Sequence, residues 1–236
     1  MNSRVKFLTA FFFFAFVMKI IGEFIHEVMG HGFFVLLFGG KIVRVYISLL
    51  WPYELSNIVW NGNFEAWQMS WIDGGGILVC LIVSCVLQIP LLLGIVRDWR
   101  FSSPLFWLSF WTFLNPTGYL IMGGIRPFGD VAALIGEGVL TQETSIAMGL
   151  IIFLAAFFSL SKIFRDMLLN VGIIRKIRDL QISLSLFWLL IPLTTAMTLI
   201  GFKQPLFYLP VSFIAIILAL IAPSIPPINL PANEKR

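Results

Sequence analysis

The long apolar segments of this 236-residue chain limit its possible folds more than any other feature. Each has about the length that a helix needs to cross the hydrocarbon core of a bilayer, and they fall at about 7–38, 70–96, 104–125, 145–161, 183–202 and 204–223. Charged residues make up 12% of the sequence, about half of the share in soluble domains. The pattern predicts an all-α polytopic membrane protein with about six transmembrane helices.

The first apolar segment is too long for one plain span. As a helix, residues 7–38 would extend over roughly 48 Å, whereas the hydrocarbon core is about 30 Å thick. The segment must therefore tilt, protrude or break. Gly22 is the natural place for a break, since glycine is a poor helix former.

Basic residues lie at the ends of the apolar segments rather than in one patch. Five of them fall in the loop 162–179, namely Lys162, Arg165, Arg175, Lys176 and Arg178, which the positive-inside rule assigns to the cytoplasm. Counting six spans from this loop puts both termini in the cytoplasm. The net charge of +4 is then explained by membrane topology, with the lipid bilayer as partner, and neither nucleic acid nor nucleotide binding is indicated. Cys80 and Cys85 lie in an apolar segment and are expected to be packing residues.

Between the first two apolar segments, at about 41–66, the sequence changes to a pattern typical of strands. Residues 41–48 alternate polar and apolar side chains, and Asn61-Gly62 is a dipeptide typical of hairpin turns. We expect a small tryptophan-rich β-ribbon at the membrane interface. It could serve as an aromatic belt, or its edge could hold an extended substrate by backbone pairing.

Glu23, His26, Glu27 and His31 lie together in the first apolar segment. Ionisable groups at membrane depth cost roughly 2.5–3.5 kcal/mol each when charged, so this cluster indicates function. In zinc hydrolases, two histidines at i and i+4 share a metal, and the glutamate beside the first deprotonates the metal-bound water. Here the histidines are at i and i+5, which are about 140° apart on an ideal α-helix. A one-residue π-bulge would bring them together.

Asp130 is the best candidate for a third ligand. It follows the helix-breaking pair Asn115-Pro116 along the chain, and the Asn115 carboxamide could bind a substrate backbone or a ligand. With His26, His31 and Asp130 on one zinc ion, the fourth position stays open for water, as a catalytic site requires. The alternative is that Asp130 is a helix N-cap, because it precedes an apolar helical pattern.

At this point the chain resembles the site-2 proteases, which are intramembrane zinc metalloproteases. The motifs of that family occur here in the same order: a His-Glu helix with a divergent HExxxH in place of HExxH, a Gly-Gly ribbon, a small-residue helix and an Asn-Pro…Asp segment, at 26–34, 39–45, 74–77 and 115–130. The resemblance covers about residues 22–135. From this resemblance together with the apolar pattern of the whole chain, we expect one membrane domain over 1–236, with a protease-like core at 7–135 that includes the ribbon, further membrane helices at 145–223 and a flexible cytoplasmic tail at 224–236.

By position, the resemblance also implies roles for five residues. His26, His31 and Asp130 would be the zinc ligands, Glu27 the general base on a zinc-bound water, and Asn115 a substrate-positioning residue. The substrates would be membrane-anchored proteins or peptides, cleaved at a peptide bond.

Other interpretations remain open on the residues alone. The polar cluster could be structural, in a non-catalytic membrane subunit or assembly factor that retains the protease-like fold. It could also relay protons in a transporter. Glu23 and His26 form half of a di-iron carboxylate signature, but the chain has no third histidine for the other half.

Overall fold

The first 35 described residues form one continuous helical unit. The structure is a computed structural model that describes residues 3–49, 56–174 and 176–189. Helix α1 (Ser3–Phe24) runs directly into a π-helical segment (Ile25–Gly32) and then into the short helix α2 (Phe33–Leu37). The break expected at Gly22 is wrong. A Cβ atom on Gly22 would lie 3.3 Å from Cβ of Trp111, so this glycine permits close helix packing, and the distortion of the helix begins at Ile25 instead.

A two-stranded antiparallel sheet follows, made of β1 (Lys41–Tyr46) and β2 (Asn57–Asn61). Its register pairs Ile42 with Trp60 and Val45 with Ile58, and an irregularity lies between Ile42 and Arg44. The predicted ribbon is therefore present. The predicted turn at Asn61-Gly62 is wrong, because Asn61 ends β2 and the two strands are joined through 47–56.

The remaining described helices are α3 (Ala66–Leu92), α4 (Trp99–Ile125), α5 (Gly129–Gly136), α6 (Gln142–Asn170) and α7 (Ile177–Trp188). Helix α3 begins with a reciprocal capping box between Glu65 and Gln68. The Asn115-Pro116 pair does not end α4, which continues to Ile125. Since proline lacks an N–H group, only one intrahelical hydrogen bond is lost there.

Three described helical stretches are both long and apolar enough to cross a membrane: Val5–Leu37, Ala66–Leu92 and Gln142–Asn170. Helix α4 has the same length as α3 but is not among them. Of the last two predicted spans, only 183–189 belongs to the described residues, and 204–223 and the expected tail at 224–236 lie outside them. The described part of the chain therefore supports a helical membrane protein and does not support six spans.

An aromatic core joins α1, α4, α6 and α7. Its largest fully buried side chains include Phe7, Phe106, Trp107, Phe157 and Trp188. Their rings stack or meet edge to face, with the centroids of Phe157 and Trp188 4.6 Å apart. This core holds α4 firmly against α1, and α4 leads directly into the short helix α5 that carries Asp130.

Candidate metal centre

The π-helical segment brings the two histidines together. Within Ile25–Gly32 the backbone hydrogen bonds run from i to i+5, so residues five apart lie on the same face. The Nε2 atoms of His26 and His31 are 3.3 Å apart, and their rings are nearly perpendicular. The predicted helix distortion is confirmed, and it extends over eight residues rather than one turn.

Asp130 reaches the same point from helix α5. Its Oδ2 atom lies 3.2 Å from Nε2 of His26 and 3.5 Å from Nε2 of His31. Helix α5 has Phe128 at its N-cap, with no side-chain capping bond, so the N-cap interpretation of Asp130 is wrong. Burial alone would raise the pKa of the Asp130 carboxyl, but the two adjacent histidines hold that pKa below its usual value. The carboxyl is therefore an anion aimed at two ring nitrogens.

The resulting triangle has the dimensions of three ligands on one tetrahedral metal ion. Bonds of about 2.0–2.2 Å at the tetrahedral angle place ligand atoms about 3.3–3.6 Å apart, and the three edges here are 3.2, 3.3 and 3.5 Å. Asp130 Oδ2 is also buried without a hydrogen-bond partner among the described residues. Such orphaned atoms are uncommon in proteins. Both observations fit a bound cation, and two imidazoles with one carboxylate suit zinc.

The neighbours of His31 fix which of its nitrogens can bind a metal. Its Nδ1 atom lies 2.6 Å from the backbone oxygen of Ile72, so Nδ1–H donates to that oxygen and the lone pair of Nε2 faces the triangle. The ring also stacks on Trp60 of β2, with the centroids 6.2 Å apart. The ribbon therefore covers one side of the site.

The ring of His26 is held in a similar way. It stacks on Tyr119 of α4 at 5.6 Å between centroids, and its Nδ1 atom lies 3.9 Å from Sγ of Cys80. The fully buried Cys80 is thus a neighbour of the site as well as a packing residue. Neither Tyr119 nor Trp60 carries a sequence signal that would have identified it.

Glycines of α3 allow the site to form. A Cβ atom on Gly76 would lie 2.5 Å from Cε1 of His26 and 2.7 Å from Nε2 of His31. Gly30 and Gly76 also bring the π-helical segment and α3 into backbone contact, since a Cβ atom on Gly30 would lie 2.5 Å from Cα of Gly76. The glycines at 74–76 predict a close helix-packing surface from the sequence, but the sequence does not predict that this surface contacts the histidine rings.

The other sequence-derived candidates lie around the triangle. Glu27 is buried, and its charge interacts with both histidines. Glu23 forms an ion pair with Lys19. The Nδ2 atom of Asn115 lies 3.4 Å from Oε1 of Glu23, so Asn115 contacts this ion pair, one helical turn away from the ligand His26. The structure thus brings His26, His31 and Asp130 together, whereas Asn115 contacts Glu23.

Comparisons of the chain with models of protein families, with curated proteins and with solved structures each give no match.

Proposed function

We propose that this chain is an intramembrane metalloprotease that hydrolyses peptide bonds of membrane-anchored substrates. The observation that carries the proposal is the triangle of His26, His31 and Asp130, whose edges match a single tetrahedral metal ion. Two of its three members belong to an apolar helix of membrane-spanning length. A cation site at that position is costly to maintain, which favours catalysis over a merely structural role.

The three ligands would hold one zinc ion and leave a fourth position open. Bound zinc would supply Lewis acidity toward a water molecule and the scissile carbonyl. Nδ1–H of His31, bonded to Ile72, keeps the ring oriented. Rigid ligands of this kind reduce the reorganisation needed during reaction.

Glu27 is the proposed general base. It directly follows His26 and is buried, and its side chain makes no hydrogen bond or ion pair with the residues that the structure describes. A carboxylate without a competing partner can accept a proton from a water molecule next to the ligands. Glu23, by contrast, is held by Lys19, which makes it a poorer candidate for this role.

The ribbon offers a means of holding the substrate. A two-stranded sheet has an unpaired edge on each strand, and Trp60 places β2 against the ring of His31. An extended peptide paired along an edge of this sheet would pass close to the ligands. Asn115 is the proposed positioning residue for that peptide, and its contact with Glu23 restrains its side chain.

The proposed topology is multi-pass, with both termini in the cytoplasm. The multi-pass part rests on the three apolar helical stretches. The orientation rests on the basic residues of 162–179, of which 162–170 form the last part of α6 instead of the expected loop. The count of six spans, which places both termini on the same side, depends on the apolar sequence of 183–223.

Metal content is the first test. Purified protein should contain about one zinc ion per chain by elemental analysis, and Asp130→Asn should reduce that content at least tenfold because it removes an anionic ligand. Asp179→Asn is the matched control, since Asp179 is an exposed carboxylate in the first turn of α7. A folded protein without zinc, or equal zinc loss in both variants, would refute the metal site.

Cleavage of a membrane-anchored peptide is the second test. Glu27→Gln should abolish cleavage and keep the zinc, whereas Glu143→Gln, at an exposed site on α6, should leave both unchanged. Unchanged cleavage by Glu27→Gln would exclude Glu27 as the base. Zinc binding without any cleavage, together with stoichiometric co-purification of other membrane proteins, would favour the non-catalytic subunit or assembly factor instead.

A further inference from the structure

A cavity of about 300 Å³ lies at the C-terminal end of helix α3. The β-ribbon lies before the N-terminal end of the same helix. It lies between the end of α3, the loop into α4 and the second half of α6. Along α3, Leu91 is roughly 22 Å beyond Gly76, so the cavity is separate from the metal centre. Its volume lies at the lower limit for small-ligand sites, which suits a headgroup better than a large cofactor.

The lining of the cavity is amphiphilic. Aliphatic side chains form one part of the wall, contributed by Leu91, Leu92, Val96, Ile163 and Met167. Polar groups form the other part, contributed by Arg97, Ser102, Asp166 and Asn170. A ligand that fits must therefore present both an apolar portion and a polar one.

Ser102 supplies an observation that points to a ligand. Its side chain lines the cavity and is 4% exposed, yet its Oγ atom has no hydrogen-bond partner among the described residues. Its neighbour Ser103, in contrast, donates to Sδ of Met167. Buried hydroxyl groups in proteins are nearly always paired, so the Ser102 hydroxyl is an unused donor for an acceptor in the cavity.

The charges around the cavity favour an anion. The guanidinium of Arg97 donates from Nε to the backbone oxygen of Gly94, which fixes the side chain and leaves its other N–H groups available. Lys162 and Arg165 both pair with Asp166. Two cations therefore pair with the one carboxylate of the cavity wall, and Arg97 on that wall adds a further positive charge.

The position of the cavity in the fold identifies the source of the anion. It lies at the ends of two of the apolar stretches long enough to cross a membrane, Ala66–Leu92 and Gln142–Asn170. Basic pockets between helices at this level of a membrane are typical sites for anionic headgroups. A phosphate group alone would explain the polar wall, but only a lipid would also occupy the aliphatic wall.

We propose that this cavity binds the phosphate headgroup of an anionic phospholipid. Arg97 and the hydroxyl of Ser102 donate hydrogen bonds to phosphate oxygens, and the aliphatic wall contacts the adjoining glycerol and first methylene groups. The bound lipid would clamp the α3–α4 connection onto α6. The proposal is independent of proteolysis, because the two sites share no residue.

Native mass spectrometry of the full chain provides the test. The protein is transferred from detergent into nanodiscs of phosphatidylcholine containing a titrated fraction of phosphatidylglycerol, and retained lipid is counted after release. Retention of one phosphatidylglycerol per chain over phosphatidylcholine is expected. Arg97→Gln should weaken it roughly tenfold because it removes a charge-assisted contact, and Ser102→Ala a few-fold because it removes a neutral one.

Matched controls separate the cavity from general electrostatic attraction. Arg178→Gln removes an exposed cation of α7 at the same end of the bundle, and Ser183→Ala removes a hydroxyl that bonds to the backbone oxygen of Asp179. Both should retain lipid as the wild type does, and circular dichroism should show all four variants folded. Equal loss in Arg178→Gln, no preference over phosphatidylcholine, or equal thermal stabilisation by inorganic phosphate alone would each overturn the proposal.

Discussion

Replacing Gly76 by alanine tests the geometry of the metal centre directly. The new Cβ atom would lie 2.5 Å from Cε1 of His26 and 2.7 Å from Nε2 of both His26 and His31. Non-bonded atoms prefer separations of about 3.5 Å or more, so the rings must move by about 0.8–1 Å. Metal–ligand distances tolerate only about 0.2 Å. At least one histidine would then be out of reach of a zinc ion held by the other two proposed ligands.

Helix α3 cannot relieve this clash by moving away as a whole. It is in backbone contact with the π-helical segment, since a Cβ atom on Gly75 would lie 3.0 Å from the backbone oxygen of Gly30. Overpacking costs about 1–3 kcal/mol, against which alanine gains up to about 1 kcal/mol over glycine in a helix. We expect a net loss of about 0–2 kcal/mol in unfolding free energy. Zinc affinity should fall far more, by at least about 10- to 100-fold, because changes to the groups that merely orient ligands already cost that much.

Gly74→Ala is the matched control on the same helix. Its Cβ atom would meet Leu134 at 3.6 Å, which is ordinary van der Waals contact, so zinc affinity should stay at the wild-type value. The assay is a competition titration with a zinc-buffering chelator, with circular dichroism on the metal-free proteins as the folding check. If Gly76→Ala is folded and binds zinc as tightly as Gly74→Ala does, the placement of the two rings is wrong.

Two further substitutions test how the site is supported. Lys19→Met leaves Glu23 without its cationic partner in a largely buried pair and should lower the unfolding free energy by about 3 kcal/mol or more. Lys162→Met breaks a far more exposed pair and should lower it by at most about 1 kcal/mol. Equal shifts of the thermal midpoint in detergent would contradict this. Gly129→Ala puts a side chain at φ +51° and a Cβ atom 2.8 Å from the ring of Tyr119. It should destabilise the protein by about 1–3 kcal/mol and weaken zinc binding. An unchanged zinc titration would show that the backbone at the start of α5 does not position Asp130.

The sequence predicts the distorted helix because the prediction depends only on the spacing of two residues within one helix. Two histidines five residues apart cannot meet on a regular α-helix, and the structure resolves this with a π-helical segment at Ile25–Gly32. The expected break at Gly22 fails for a different reason. Whether a glycine interrupts a helix depends on what packs against it, and Gly22 packs against Trp111 of α4.

Contacts between distant parts of the chain are much less accessible to sequence reasoning. Asp130 could be proposed as a ligand or as a cap, and the structure excludes the cap because Phe128 is the N-cap of α5. The 3.2 Å approach of Asp130 to His26 is a contact that the sequence does not show. Asn115 was expected to face a substrate or ligand, but its partner Glu23 comes from another helix. The contact of Gly76 with the two rings follows from the close approach of two helices, which no local pattern encodes.

By itself, then, the sequence determined the membrane-spanning helical character, the presence of a ribbon after the first helix and the set of residues able to bind a metal. These follow from composition, periodicity and the chemistry of side chains, all of which are local. The tertiary structure alone decided that His26, His31 and Asp130 converge, and that Gly76 makes room for them. Convergence depends on helix packing across about a hundred residues of chain, where small differences in crossing geometry move a ligand atom by more than the tolerance of a metal bond.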